Sequence, residues 1–83
     1  MGKEENERIG SLLEDILNDR GVPRNIKSSI EESLKVLKGK DPDEQKIATI
    51  ISILDEASND PNLSPYARTK IWNMVSVLES MKK

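Results

Sequence analysis

The stretch Asp41-Pro42-Asp43-Glu44-Gln45-Lys46-Ile47-Ala48-Thr49-Ile50-Ile51-Ser52-Ile53-Leu54-Asp55-Glu56 decides how the rest of the chain is read. Its centre, Ile50-Ile51-Ser52-Ile53, is rich in β-branched residues and is locally strand-like. Its flanks point to a helix. Asp41 is a natural N-cap residue, Pro42 suits the first helical position, and Glu44 stands three residues after the cap in a capping-box-like pattern. Ile47, Ile50, Ile51 and Leu54 then recur at helical spacing. The expectation is a third helix beginning at Asp41.

The same grammar extends in both directions. Downstream, Ser58-Asn59-Asp60-Pro61-Asn62 is a turn cluster. Ser64 and Pro65 then serve as N-cap and N1 of a fourth helix with core positions Ala67, Ile71, Met74, Val75, Leu78 and Met81, and Lys82 and Lys83 follow. Upstream, Gly39 ends a second helix that starts near Pro23. It carries the narrow stripe Ile26, Ile30, Leu34 and Leu37, with Lys35 and Lys38 favouring its C-terminal dipole. A first helix over about Lys3 to Asn18 carries Ile9, Leu12, Leu13, Ile16 and Leu17 at i, i+3, i+4, i+7 and i+8, with Gly21 as a left-handed C-cap.

Short connections between four amphipathic helices give antiparallel neighbours in an all-α, four-helix bundle. The 83 residues fit one domain over 1–83, with hairpin one at about 3–39 and hairpin two at about 41–83. A shift of 41 residues aligns the chain with itself: Ile9, Leu12 and Leu13 meet Ile50, Ile53 and Leu54; Asn18-Asp19 meets Asn59-Asp60; Ile30, Leu34 and Leu37 meet Ile71, Val75 and Leu78. The period lies in the range of HEAT-like repeats, and two such hairpins are expected to close on each other as a bundle.

Trp72 and Tyr66 are the aromatic residues and Phe is absent, so the core is aliphatic. The net charge of -2 gives little general attraction to a phosphate backbone. The polar start, Met1 to Glu7, does not read as a signal peptide, and no apolar stretch approaches the roughly 20 residues of a membrane span. The absence of cysteine excludes a disulfide and fits a cytoplasmic protein.

The segment Ala48-Thr49-Ile50-Ile51-Ser52-Ile53-Leu54-Asp55-Glu56, then Ser58-Asn59-Asp60-Pro61-Asn62, Tyr66-Ala67-Arg68-Thr69 and Ile71-Trp72-Asn73, resembles a small archaeal family, uncharacterised protein family 0147. Val22-Pro23 and Asn25-Ile26 of the first hairpin are similar to it as well. The resemblance implies an all-helical, four-helix, cytoplasmic protein. The family has no established activity, so it brings no catalytic residues.

Without His or Cys the chain lacks imidazole bases, thiol nucleophiles and the usual zinc ligands. Its glycines are scattered, so there is no phosphate loop. Asp41-Pro42-Asp43-Glu44 could hold a divalent ion, but helix capping and dipole complementation explain it better. The pairs Glu14-Asp15 and Asp55-Glu56 lie near helix ends, where Arg20, Arg24 or Arg68 could compensate them. No cofactor, metal or small-molecule substrate is implied, and the expected protein is not an enzyme.

The candidate interaction residues are Asp60, Arg68, Trp72, Val77 and Ile51. Arg68 and Trp72 stand at i, i+4 on helix four, where a guanidinium can lie on the indole, and Asp60 could pair with Arg68 across the turn. Either a structural corner or a recognition patch would use these residues, since Trp and Arg are favoured anchors. The apolar arc of helix two is about 80° wide, whereas that of helix four, with Trp72 and Val77, exceeds about 200°. Helix three is also broad. A bundle helix needs a stripe of about 100°, so the surplus on helices three and four calls for cover. A homodimer through the second hairpin is the simplest cover.

The leading expectation is therefore a protein-interaction or scaffold module acting through helices three and four, on a second copy or another protein. An RNA- or ribosome-associated protein using Arg20, Arg24, Lys27, Lys35, Lys38 and Lys40 comes second, since Glu31, Glu32 and Asp41 interleave the basic strip and no aromatic is present for stacking. An enzyme using carboxylates and a divalent metal comes last.

Overall fold

A computed structural model describes residues 2–81. Four helices follow in order: α1 (Lys3–Leu17), α2 (Arg24–Lys38), α3 (Asp43–Ala57) and α4 (Pro65–Met81). Each packs on its neighbours in a closed ring, α1 on α2, α2 on α3, α3 on α4 and α4 on α1. The body measures 32 × 20 × 19 Å. No strand forms among the described residues, so the β-branched run 50–53 is helical, as its flanking caps and period require. Lys82 and Lys83, which follow the fourth helix in the sequence, lie outside the described residues.

The core is aliphatic. Ile9, Leu13, Ile16, Ile30, Ile50, Leu54, Ile71, Met74 and Leu78 are all fully buried, with Val22 and Leu63 closing the turn end. Each such large side chain removed from water contributes on the order of 1.5–3 kcal/mol. Among the described residues two polar side chains are buried, Ser33 and, near the start of α3, Lys46. Ser33 is fully buried, and its hydroxyl donates to the Ser29 carbonyl at 3.1 Å. On α2 the seam runs Ile26, Ile30, Ser33 and Leu37, and Leu34, expected in the stripe, is half-buried beside it. At 100° per residue, 33 falls nearer the line of 26, 30 and 37 than 34 does.

The helix entries correct two capping expectations. Asp41 does not cap α3. Pro42 is the N-cap, with ψ at 148°, and its carbonyl accepts the Lys46 N–H at 3.0 Å. An extended Pro42 leaves Asp41 one residue too far out, and Asp43 and Glu44 complement the dipole in the first turn. Pro23 starts α2 in the same way, accepting from Ile26 and Lys27. Ser64 does cap α4, since its Oγ accepts the Ala67 N–H at 3.1 Å, with Pro65 at N1. Gly21, in turn, is not a left-handed C-cap, because no glycine among the described residues has positive φ. Asn18 closes α1 at φ -90°, ψ 0°. What Gly21 supplies is space: a Cβ there would fall 2.8 Å from the Ser64 Cβ, nearer still to its Oγ.

Candidate functional site

The two hairpin turns lie side by side at one end of the bundle, joined where the Ser64 N–H donates to the Gly21 carbonyl at 3.1 Å. Each turn is organised by an aspartate, and the two stand 41 residues apart. Asp19 Oδ1 accepts the Gly21 N–H at 2.7 Å, and Asp60 Oδ1 accepts the Asn62 N–H at 2.8 Å. The backbone carbonyls of both accept the N–H three residues on, from Val22 and Leu63. The other carboxylate oxygen reaches across to the opposite hairpin. Asp60 Oδ2 accepts from the Asn25 amide at 2.7 Å, and Asp19 Oδ2 lies 3.0 Å from Lys70 Nζ.

These bonds set the electrostatics of the corner. Hydrogen bonds from the Gly21 backbone and Lys70 hold the Asp19 carboxyl below its ordinary pKa. The Asn25 amide, then the Asn62 backbone, do the same for Asp60. Lys70 is raised, chiefly by its bond to Asp19 and then by its bond to Asp15, 3.0 Å away. Lys70 also stands over the Tyr66 ring, 4.8 Å from its centroid.

The sequence-based pairing of Asp60 with Arg68 takes another form. Arg68 Nη2 donates to the backbone carbonyl of Asp60 at 3.0 Å, and Nε donates to the Ser58 carbonyl at 3.1 Å. The guanidinium thus closes the C-terminal end of α3, where carbonyls lack helical partners. That fork draws it away from the indole, and the cation–π contact on α4 is Lys70 with Tyr66. Lys70 and Asn25 escaped the sequence reading. The Lys70 signal was present, in the i, i+4 spacings of Asp15 with Asp19 and Tyr66 with Lys70; Asn25 left none.

Trp72 is 56% exposed and Tyr66 69%, so neither aromatic belongs to the core. Arg68 reaches α3, which puts the 68–72–75–79 edge of α4 on the α3 side. Ile53 and Glu56 line a cleft of about 420 Å3 between α2 and α3, with Asn25, Ser29, Glu32 and Asp60. Ile51, on the other flank of α3 from Ile53, therefore lies on the α4 side, half-buried at about the level of Trp72. Val77 is not brought to this face. It lines a cleft of about 250 Å3 between α1 and α4, over Leu12, Ile16 and Met74 and beside Arg8 and Lys70. The surplus apolar arc is thus largely absorbed at the seams, where Ile51, Ile53 and Val77 are half-buried, and Trp72 remains outside.

Among the described residues, no three Asp or Glu side chains converge as metal ligands would. Asp41 and Glu44 point into solvent. No helix is long and apolar enough to cross a membrane.

The sequence model of the uncharacterised protein family UPF0147 matches residues 2–81. The chain belongs to UPF0147. A UPF0147 protein of Methanothermobacter thermautotrophicus is 44% identical over 84 residues, covering 100% of this chain and 82% of the relative. One from Aeropyrum pernix is 43% identical over 75 residues, covering 87% and 80%. The family is archaeal, and its fold is known from crystals. The structure of a UPF0147 protein from Thermoplasma acidophilum superposes with a TM-score of 0.85 at 29% identity, over 95% of this chain and 94% of that one. A second crystal structure, of a protein of unknown function, superposes with a TM-score of 0.90 at 36% identity, over 100% and 96%. Four packed helices are the UPF0147 fold.

Proposed function

We propose that this UPF0147 protein is a non-enzymatic interaction module whose contact surface is the outer face of α3 and α4. One observation carries the reading: the sole tryptophan is 56% exposed among the small, uncharged outward residues Ala48, Ser52 and Ser76, with the charged residues kept to the rim of the face. Leaving an indole in water is unfavourable unless something covers it, and Trp is a favoured anchor of protein contacts. Ile51 at the α3 edge and Arg68 at the turn end flank that anchor. Asp60 acts behind it by holding the turn, and Val77, in the α1–α4 cleft, stands apart. The reading includes a cytoplasmic location, which goes with a cysteine-free chain.

The test is capture of interacting protein from an archaeal extract by the wild type and by Trp72→Ser. The substitution lies outside the core, so its circular dichroism should match the wild type. The reading expects capture by the wild type and loss of it in Trp72→Ser. Equal capture by both, or no capture together with no self-association, would count against it.

A further inference from the structure

We propose that the partner seated on the α3/α4 face is a second copy of this chain. The two bundles dock antiparallel about a two-fold axis, each Trp72 lying on the small residues of the other. This deepens the interaction reading and rests on it.

Charge comes first. Charged residues make up 34% of the chain, yet residues 47–54 of α3 and 71–78 of α4 contain none. Outside, these two runs present Ala48, Ser52, Trp72 and Ser76, all exposed, while the exposed Asn73 stands on the α1 side. The outer faces of α1 and α2 are studded with charge instead, as at Glu4, Glu7, Glu14, Arg24, Glu31 and Lys38. A charged surface laid on the α3/α4 face would lose its water and find no counter-charge. A second copy brings a neutral surface of the same outline. Depletion of charge around an aromatic, with Glu44, Asp55 and Glu79 at the rim, is the anatomy of an interface centre.

Shape agrees. In a two-fold contact one patch must supply both knob and hole. Trp72 is the knob, and Ala48, Ser52 and Ser76 leave room for one.

Orientation follows from the ends. Away from the turns, the face ends in two carboxylates, Glu44 and Glu79; at the turns it carries Asp55 and Arg68, which offset each other. Antiparallel docking lays the acidic end over the balanced one, whereas parallel docking would stack carboxylate on carboxylate.

The natural chain has no cysteine, so an introduced one is a unique thiol. Analytical ultracentrifugation from micromolar to millimolar protein should show a concentration-dependent dimer. Ser76→Glu, with unchanged circular dichroism, should weaken the dimer by a factor on the order of 100. Mild oxidation should give covalent dimers of Ser76→Cys and not of Ser28→Cys, which lies on the outer face of α2. A wild type monomeric throughout, Ser76→Glu dimerising like the wild type, or equal crosslinking from position 28 would each overturn the proposal. If the wild type stays monomeric but captures a protein that Trp72→Ser loses, the second copy falls and the interaction reading stands. If it neither dimerises nor captures, both fall.

Discussion

The carbonyl of Gly21 accepts the backbone N–H of Ser64 at 3.1 Å, and the space above its Cα is already filled by the Ser64 side chain. Ser64 cannot move aside without cost, because its Oγ caps α4 through the Ala67 N–H. Gly21→Ala should therefore break the contact between the two turns or the cap, and losing the cap alone costs about 1 kcal/mol. Gly10 is the contrast. It lies inside α1, and a Cβ there would meet Leu37 Cδ2 at an ordinary 3.6 Å. Gly10→Ala should stabilise by about 0.5–1 kcal/mol through helix propensity. Urea unfolding of the two variants should move the midpoint in opposite directions.

Arg68 joins the end of α3 to the start of α4 through the Ser58 and Asp60 carbonyls. A lysine carries the charge but not the planar fork. Arg68→Lys should lose about 1–3 kcal/mol of stability, in line with hydrogen bonds made by a charged donor. Rescue to within a few tenths of a kcal/mol by lysine would show that charge, not geometry, matters at this corner.

The α2 seam offers a packing test. Ser33 is fully buried where Met74 occupies the matching place 41 residues later. The site is sized for a hydroxymethyl group, so Ser33→Leu should destabilise by about 1–3 kcal/mol through overpacking. Ser33→Ala removes a hydroxyl whose acceptor, the Ser29 carbonyl, lies within the same helix, and should change stability by less than about 1 kcal/mol. Thermal unfolding of the pair reads both.

The aspartates and Lys70 fix the sign of the pH dependence. Asp19 and Asp60 have folded pKa values below their ordinary 3.8, so their contribution is fully present above that pH. It is lost as the pH falls through the folded values. Lys70 is raised above 10.5, so its contribution is present below that pH and is lost as the pH rises through the folded value. Stability should hold level across neutral pH and decline in acid and in strong alkali. Asp60→Asn should make the acid decline shallower, and Lys70→Met should flatten the alkaline one. An acid limb unchanged in Asp60→Asn would remove Asp60 from this account.

Most of the fold was legible in the sequence because aliphatic spacing is a direct readout of which face meets the core. Ile9, Leu13 and Ile16 of α1 and Ala67, Ile71, Met74, Val75 and Leu78 of α4 are buried where the period put them. Ser33 was not legible, because a core position filled by a polar residue is silent in a hydrophobic pattern. The corner was half legible. Asp60 and Arg68 do meet, but through a backbone carbonyl, which no residue type announces. Asp41 misled because capping depends on where Pro42 sets its ψ, not on the identity of the preceding side chain. Trp72 carried the least information, since an indole reads as core or as interface with equal ease, and only its exposure separates the two.

That exposure makes Trp72 its own reporter. Acrylamide quenching of its fluorescence, followed from high dilution to high protein concentration, tests the contact face most directly. A solvent-exposed indole at high dilution that becomes shielded as concentration rises is the expected result. Trp72 shielded even at a dilution where ultracentrifugation finds only monomer would place it in the core and contradict the account. Trp72 equally quenchable at every concentration would leave the face without the second copy proposed for it.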